Sequence, residues 1–233
     1  MNKIPTIKGS AQARLLLYRL LSLKLTSAEE GVLTSSPHLW EDLIERLEAE
    51  IGSDAQIRSD RAELNRAFSY IDQSTREGLQ KQIERITGQS LWLGIQATSL
   101  LDAFVDEHVK LIKSIQREHA EKIGLLITRG IREGRLQKQL THDIRQTTAL
   151  SKRRAQLIAR NAPLQYSGAL TRHHQTSAGI KQYYWQTSHD ERVRESHRSR
   201  DGKVYEWDGP GPHPRSEVNC RCDAVPILET QPD

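Results

Sequence analysis

Apolar positions recur at helical spacing along most of the chain, and alternation replaces that period only near residue 182. Leu15, Leu16, Leu17, Leu20, Leu21 and Leu23, set among Arg14, Arg19 and Lys24, predict an amphipathic helix over about 10–25. Thr26 with Glu29 fits the cap of a short following turn, and Gly31 to Pro37 reads as a loop. Leu39, Leu43, Leu47 and Ile51 recur every four residues and predict a helix over 38–51, stopped by Gly52. The polar run Asp54–Arg66 continues through Phe68, Ile71 and Leu79 toward Ile83 and Ile86, until Gly88 interrupts.

From Ser90 a long helical region follows. Leu101, Phe104, Val105, Val109, Ile112 and Ile115 form one stripe, and Lys110, Lys113, Arg117 and Lys122 face water or a partner. Gly130 and Gly134 mark a turn between helices or a close packing contact. Leu136, Leu140 and Ile144 restore the period. Thr147 and Thr148 are cap candidates for a helix over 149–160, which Pro163 is expected to end.

Residues 165–184 give no strong local signal beyond a helical stretch toward Lys181, bending near Ala178-Gly179. Tyr183, Tyr184, Trp185 and Thr187 then read as a strand that could run on to Val193. Asp201-Gly202 is a turn signal before a second strand at 203–207. Gly209 to Pro214 excludes both helix and central strand, and Val225 and Ile227 read as a final edge strand. The fold class is therefore α+β: a mainly helical N-terminal arm or bundle, then a small mixed α/β module with irregular loops. The expected division is a partner-binding helical region over 1–90, a long helical arm over 91–150 and a compact module over 151–233.

The formal charge is only +4, but it is unevenly placed. Residues 29–63 hold ten acids against three bases, and residues 108–160 hold thirteen bases against four acids. These are either solvated helix faces or an acidic and a basic docking surface. Arg135, Lys138, Arg145, Lys152, Arg153, Arg154 and Arg160 could follow a phosphate backbone or an acidic protein ring. No apolar run reaches the roughly 20 residues of a membrane span, and no clean hydrophobic region leads to a signal cleavage site.

Chemistry concentrates between Trp185 and Cys222, which holds three of the nine histidines and both cysteines. Cys220 and Cys222 could bind zinc with His197 and His213 completing a tetrahedral set, although the spacing is tighter than in most structural zinc sites. Reduced packed thiols and a strained disulfide are the other two readings. If 185–193 is extended, Asp190, Arg192 and Arg194 share one face, as an ion-pair network or an anion site. His197 with Asp190 or Asp201 could supply a base, but no nucleophile or substrate pocket accompanies it, so the chain is read as a non-enzyme.

The chain resembles the minor head proteins of tailed bacteriophages and prophages, the Mu F-like head morphogenesis family. The resemblance rests on R-A-Q-L-I-A-R at 154–160, A-G-I-K at 178–181, W-Q-T-S-H-D-E-R-V-R-E-S-H at 185–197, D-G at 201–202 and H-P-R-S-E-V-N-C-R-C-D-A-V-P at 213–226. It extends over about 100–228. It implies a structural assembly protein of the virion head or procapsid, found in the host cytoplasm during assembly. The implied partners are the portal protein, other head or scaffold proteins and DNA, with several copies per particle. It implies no required cofactor, zinc remaining a candidate. The signature positions it marks are Trp185, Thr187, Asp190, Arg192, Arg194, His197, Asn219, Cys220 and Cys222, as the scaffold of a compact domain. Where relatives commonly have Thr-Glu, this chain has Asn161-Ala162. The short stretch after Cys222 leaves no expectation of a fused effector domain. The alternative is a metal-stabilised nucleic-acid-binding protein or nuclease built on the His/Cys cluster.

Overall fold

The computed structural model describes residues 10–34, 39–90, 93–94 and 97–228. The expected loop to Pro37 and the expected helix start at Ser90 both run into residues outside those described. In order, the elements are α1 (Ser10–Thr34), α2 (Trp40–Glu50), α3 (Asp54–Thr87), α4 (Thr98–Arg132), α5 (Gln137–Ser177), β1 (Gln182–Gln186), the single turn α6 (Glu195–Arg198), β2 (Val204–Glu206) and β3 (Asp223–Ile227). The fold is α+β, with a three-stranded antiparallel sheet following the long helices. Two compact units interleave along the chain: one joins Arg14–Arg66 to Asp102–Ala159, the other joins Ala67–Leu101 to Arg160 and beyond.

The first unit is all helix. Ile44 of α2, Ile123 and Ile127 of α4, and Leu140 and Ile144 of α5 form one buried cluster. Leu17, Leu21 and Leu25, one turn apart on α1, are fully buried. The Gln116 amide on α4 donates to the Leu20 carbonyl at 3.0 Å, out of contact with water. Glycines set how closely these helices approach. A Cβ on Gly31 would lie 2.8 Å from Leu43, and one on Gly130 would lie 3.1 Å from Leu140. Gly31 therefore sits inside α1 as a contact point, and the helix runs through the expected break to Thr34. Of the two glycines near 130, Gly130 is the packing contact and Gly134, at φ 63°, is the turn.

The largest departure from the periodicity reading is α5, which runs for 41 residues through Pro163. Proline inside a helix costs about 3 kcal/mol. Ala159, Ala162, Tyr166 and Leu170, all buried along one face, hold the helix together across that point. Thr148 is not a cap either: its hydroxyl donates back to the Ile144 carbonyl at 3.0 Å within the helix.

In the second unit, Phe68 of α3 meets Tyr166 of α5 edge to face at 4.8 Å. Leu79, Ile83, Leu93 and Ile180 form a further buried cluster. His174 Nε2 lies 2.9 Å from Asp72 Oδ1, both side chains 1% exposed, and Asp72 Oδ2 also accepts the Ala97 N–H at 3.3 Å. The sheet order is β2-β1-β3. In β1, Tyr183 and Trp185 face inward while Gln182 and Tyr184 are exposed, so the alternation read from the sequence holds. Pro226 is accommodated because β3 is an edge strand.

Two outcomes follow. Removing one member of a buried pair strands the other, so Asp72→Ala should cost roughly 3 kcal/mol in urea unfolding, and Asp72→Asn clearly less. On α4, His119 faces Ser151 Oγ at 3.1 Å, and burial holds its pKa down from 6.5 to about 4, against the pull of the Leu25 carbonyl. The unfolded chain then takes up a proton before the folded one does. The stability His119 contributes is complete above pH 6.5 and is lost as the pH falls toward 4, by up to about 3 kcal/mol. His119→Gln should narrow the gap between thermal midpoints measured by circular dichroism at about pH 7.5 and about pH 4.5.

Candidate functional site

The C-terminal half of α5 is the platform on which the Trp185–Cys222 segment is built. Gln175 is fully buried and bonds in two directions: its amide nitrogen donates to the Ala224 carbonyl at 2.8 Å, and its oxygen accepts the Trp207 indole N–H at 2.9 Å. Gln165 donates to the Ser216 carbonyl at 3.2 Å, and Asn161 Oδ1 accepts the Asn219 N–H at 3.0 Å. Gly168 gives the loop its closest approach: a Cβ there would lie 2.7 Å from the Arg215 Cβ and 3.0 Å from the Pro214 carbonyl oxygen.

Beyond β1 the chain does not extend to Val193. Thr187 N–H donates to Asp201 Oδ1 at 2.7 Å, His189 turns back at φ 51°, and residues 190–192 form a turn. Asp190, Arg192 and Arg194 therefore do not share a strand face. Asp190 instead takes both ends of the Arg221 guanidinium, one contact being 2.6 Å, and this fork holds its carboxyl down at about 2. Arg192 reaches Asp190 only at 4.0 Å and is largely exposed. Arg194 bonds Glu217 Oε2 at 3.0 Å and the Val218 carbonyl.

Turn α6 brings His197 inward, 4% exposed and edge-on to the Trp185 ring at 5.3 Å. Two four-residue turns then shape the loop that faces it. Ser216 N–H bonds the His213 carbonyl at 3.2 Å and Cys220 N–H bonds the Glu217 carbonyl at 3.1 Å. The third residue of each turn, Arg215 at φ 66° and Asn219 at φ 58°, is left-handed. Asparagine tolerates that conformation and arginine rarely does. Arg215 is held in it by a buried set of contacts: its backbone N–H to Cys220 Sγ at 3.2 Å, Nε to the Cys222 carbonyl at 3.2 Å, and its guanidinium to Ser167 and to Asp223 at 3.4 Å.

His197 Nδ1, Cys220 Sγ and Cys222 Sγ all lie within 4.8 Å of one another. Nδ1 is 3.6 Å from Cys220 Sγ and 3.4 Å from Cys222 Sγ. On the far side of the ring, Nε2 lies 2.6 Å from Glu217 Oε2. Both cysteines are free and buried. The two thiols shift apart: a hydrogen bond from Cys222 pushes Cys220 down, and the same contact together with burial pushes Cys222 up. The Trp185 indole N–H is buried without a hydrogen-bond partner, and its position favours the charged form of Cys222.

His213, expected as the fourth ligand, is not in this group. Its Nδ1 meets the Tyr183 hydroxyl at 2.8 Å and its ring packs against Trp207 at 5.2 Å, which makes it part of the aromatic core. Sequence reasoning had no signal for Glu217, Trp207 or Gln175, because their roles come from contacts with residues 20 to 49 positions away.

The basic residues sort by partner. Arg135 pairs with Asp143 at 2.7 Å and Arg154 with Glu118 at 2.5 Å. Lys138, Arg145, Arg153 and Arg160 are exposed, while Lys152 is half-buried. Lys138, Arg145 and Lys152 are seven residues apart and share one face of α5. A cavity of about 370 Å³ between α4 and α5 is lined by Ile115, His119, Leu150 and Ser151. Glu118 at its rim is held between Lys122 and Arg154, so those charges satisfy one another.

No helix among the described residues is long and apolar enough to cross a membrane. No solved structure matches the chain. A 135-residue stretch is 35% identical to an uncharacterized protein of Haemophilus influenzae strain Rd, covering 57% of this chain and 30% of that relative, so the match spans less than a third of the relative's length. Residues 121–225 match the family described as Phage Mu protein F like protein. That range takes in the end of α4, all of α5, and most of the sheet and loops that position His197, Cys220 and Cys222, and over those residues the chain is similar to the Mu F-like family.

Proposed function

We propose that this chain is a structural, non-enzymatic minor head protein of a tailed phage or prophage, joining the procapsid at the portal vertex and assisting head morphogenesis. The observation that carries this reading is the Mu F-like match across residues 121–225. The surface of the helical unit supports it. Leu125, Ile131, Leu136, Leu150 and Leu157 stand exposed on and between α4 and α5, four of them more than half exposed. Exposed bases interleave with them, Lys138, Arg145 and Arg153 among them. Apolar anchors set among predominantly basic charge suit a protein partner of opposite charge better than a solvent face.

The test is co-expression with the portal protein of the same phage or prophage, followed by sedimentation of the assembled particles. The chain should co-sediment with portal-containing procapsids, and its deletion should lower the yield of infectious particles. The double reversal Lys138→Glu with Arg145→Glu should weaken portal capture by roughly tenfold at low salt, with little change in thermal midpoint. Normal infectious particles from the deletion strain, with no co-sedimentation, would overturn the proposal.

A further inference from the structure

We infer that His197 Nδ1, Cys220 Sγ and Cys222 Sγ bind one zinc ion as three protein ligands, with Glu217 orienting the imidazole. This goes beyond the head-assembly reading and does not depend on it.

The distances carry the first part. Zinc–sulfur bonds of about 2.3 Å and zinc–nitrogen bonds of about 2.0 Å, meeting at the tetrahedral angle, place sulfur and nitrogen roughly 3.6 Å apart. The two sulfurs here stand 3.6 and 3.4 Å from Nδ1. Ligand-to-ligand edges of that length are already set by the protein fold.

The second part is the arrangement around the ligands. Glu217 Oε2 at 2.6 Å accepts a hydrogen bond from Nε2–H, which fixes the tautomer and leaves the Nδ1 lone pair facing the sulfurs. A carboxylate on the outer nitrogen of a metal-binding histidine is the usual means of orienting it. The sulfurs in turn are met by N–H groups. The Arg215 backbone N–H donates to Cys220 at 3.2 Å, and the Trp185 indole N–H is buried with no other acceptor. Donors suit thiolates.

Thiol-to-imidazole hydrogen bonding alone is the competing account. One nitrogen lone pair accepts one S–H, so that account needs a separate thiol–thiol contact for the second sulfur, whereas a single ion accounts for both sulfur–nitrogen distances at once. Charge also favours the ion: two thiolates and a neutral imidazole cancel a divalent cation in a site where all three ligands are at most 4% exposed. Three protein ligands leave the fourth tetrahedral position to a solvent oxygen. The tight Cys-x-Cys spacing works because the residues straddle Arg221 on the run into β3, with both sulfurs on the His197 side.

The experiment uses the full chain, purified without a metal-affinity step and analysed for zinc by plasma mass spectrometry. About one zinc per chain is expected, as isolated or after reconstitution. Cobalt substitution of the wild-type chain should give the visible and near-ultraviolet bands of a tetrahedral thiolate site. His213→Gln should keep the metal. Glu217→Gln should weaken zinc binding by about 10- to 100-fold in chelator competition while the metal stays tetrahedral. A wild-type chain, folded by circular dichroism, that holds no zinc above background after reconstitution and gives no cobalt–thiolate bands overturns the inference. So does a folded His213→Gln variant that has lost the metal, or a folded Cys220→Ser, Cys222→Ser double variant that retains it.

Discussion

The C-terminal module depends on a close backbone approach between α5 and the loop at 213–216. Gly168 is the point of contact: any side chain there would fall within 2.7 Å of the Arg215 Cβ. Because the loop can sit that close, the Arg215 guanidinium reaches Ser167 inside the module and its N–H reaches Cys220. Arg215 is left-handed as a consequence, a conformation that costs on the order of 1–3 kcal/mol and persists only where surrounding contacts over-determine it. Those contacts are the same ones that hold the two sulfurs in place. Local strain, burial of a guanidinium and presentation of Cys220 and Cys222 are therefore one structural event.

Much of the fold is written in the periodicity, and the errors have a common cause. The helical stripes, the strand at Tyr183–Trp185, the Asp201-Gly202 turn and the edge strand before Leu228 are each set by neighbours in sequence. What the pattern could not show is which interruptions survive tertiary packing. Gly31 and Pro163 break a helix considered alone. In the folded chain, Leu43 fills the space Gly31 leaves, and a buried face from Ala159 to Leu170 carries α5 past Pro163. Residues 165–184, which gave the weakest local signal, hold much of the platform for the site, because Ser167, Gly168 and Gln175 act only through partners far along the chain.

The site itself was half legible. Composition singled out the segment, since both cysteines and three histidines fall there. Residue type alone could not rank the histidines. His213 and His197 look equivalent as letters, yet one meets a tyrosine hydroxyl in the aromatic core and the other has a carboxylate on one nitrogen and two sulfurs at the other. The difference arises from α6, a single turn of four residues that no periodicity could announce. The grouping of Asp190 with Arg192 and Arg194 failed for a related reason: it assumed an extended backbone, and the turn at 190–192 sends Asp190 to Arg221 instead.

That Asp190–Arg221 fork bears on how the module holds its shape. Arg221 lies between the two cysteines, so a carboxylate that grips its side chain from outside fixes the backbone that carries both sulfurs. Arg194 does the same at the other end, tying Glu217 and the Val218 carbonyl to the start of α6. The residues of this segment thus divide by depth. Trp185, His197, Cys220 and Cys222 form the buried centre, and Asp190 and Arg194 clamp its two approaches from the surface. Surface ion pairs in isolation add little stability. Here each one closes a loop of more than 20 residues onto the centre, so its effect is to limit where the imidazole and the two sulfurs can go rather than to strengthen the fold as a whole. Asp190, Arg194 and Arg221, which in composition look like solvated surface, are in the folded chain the frame of the buried cluster.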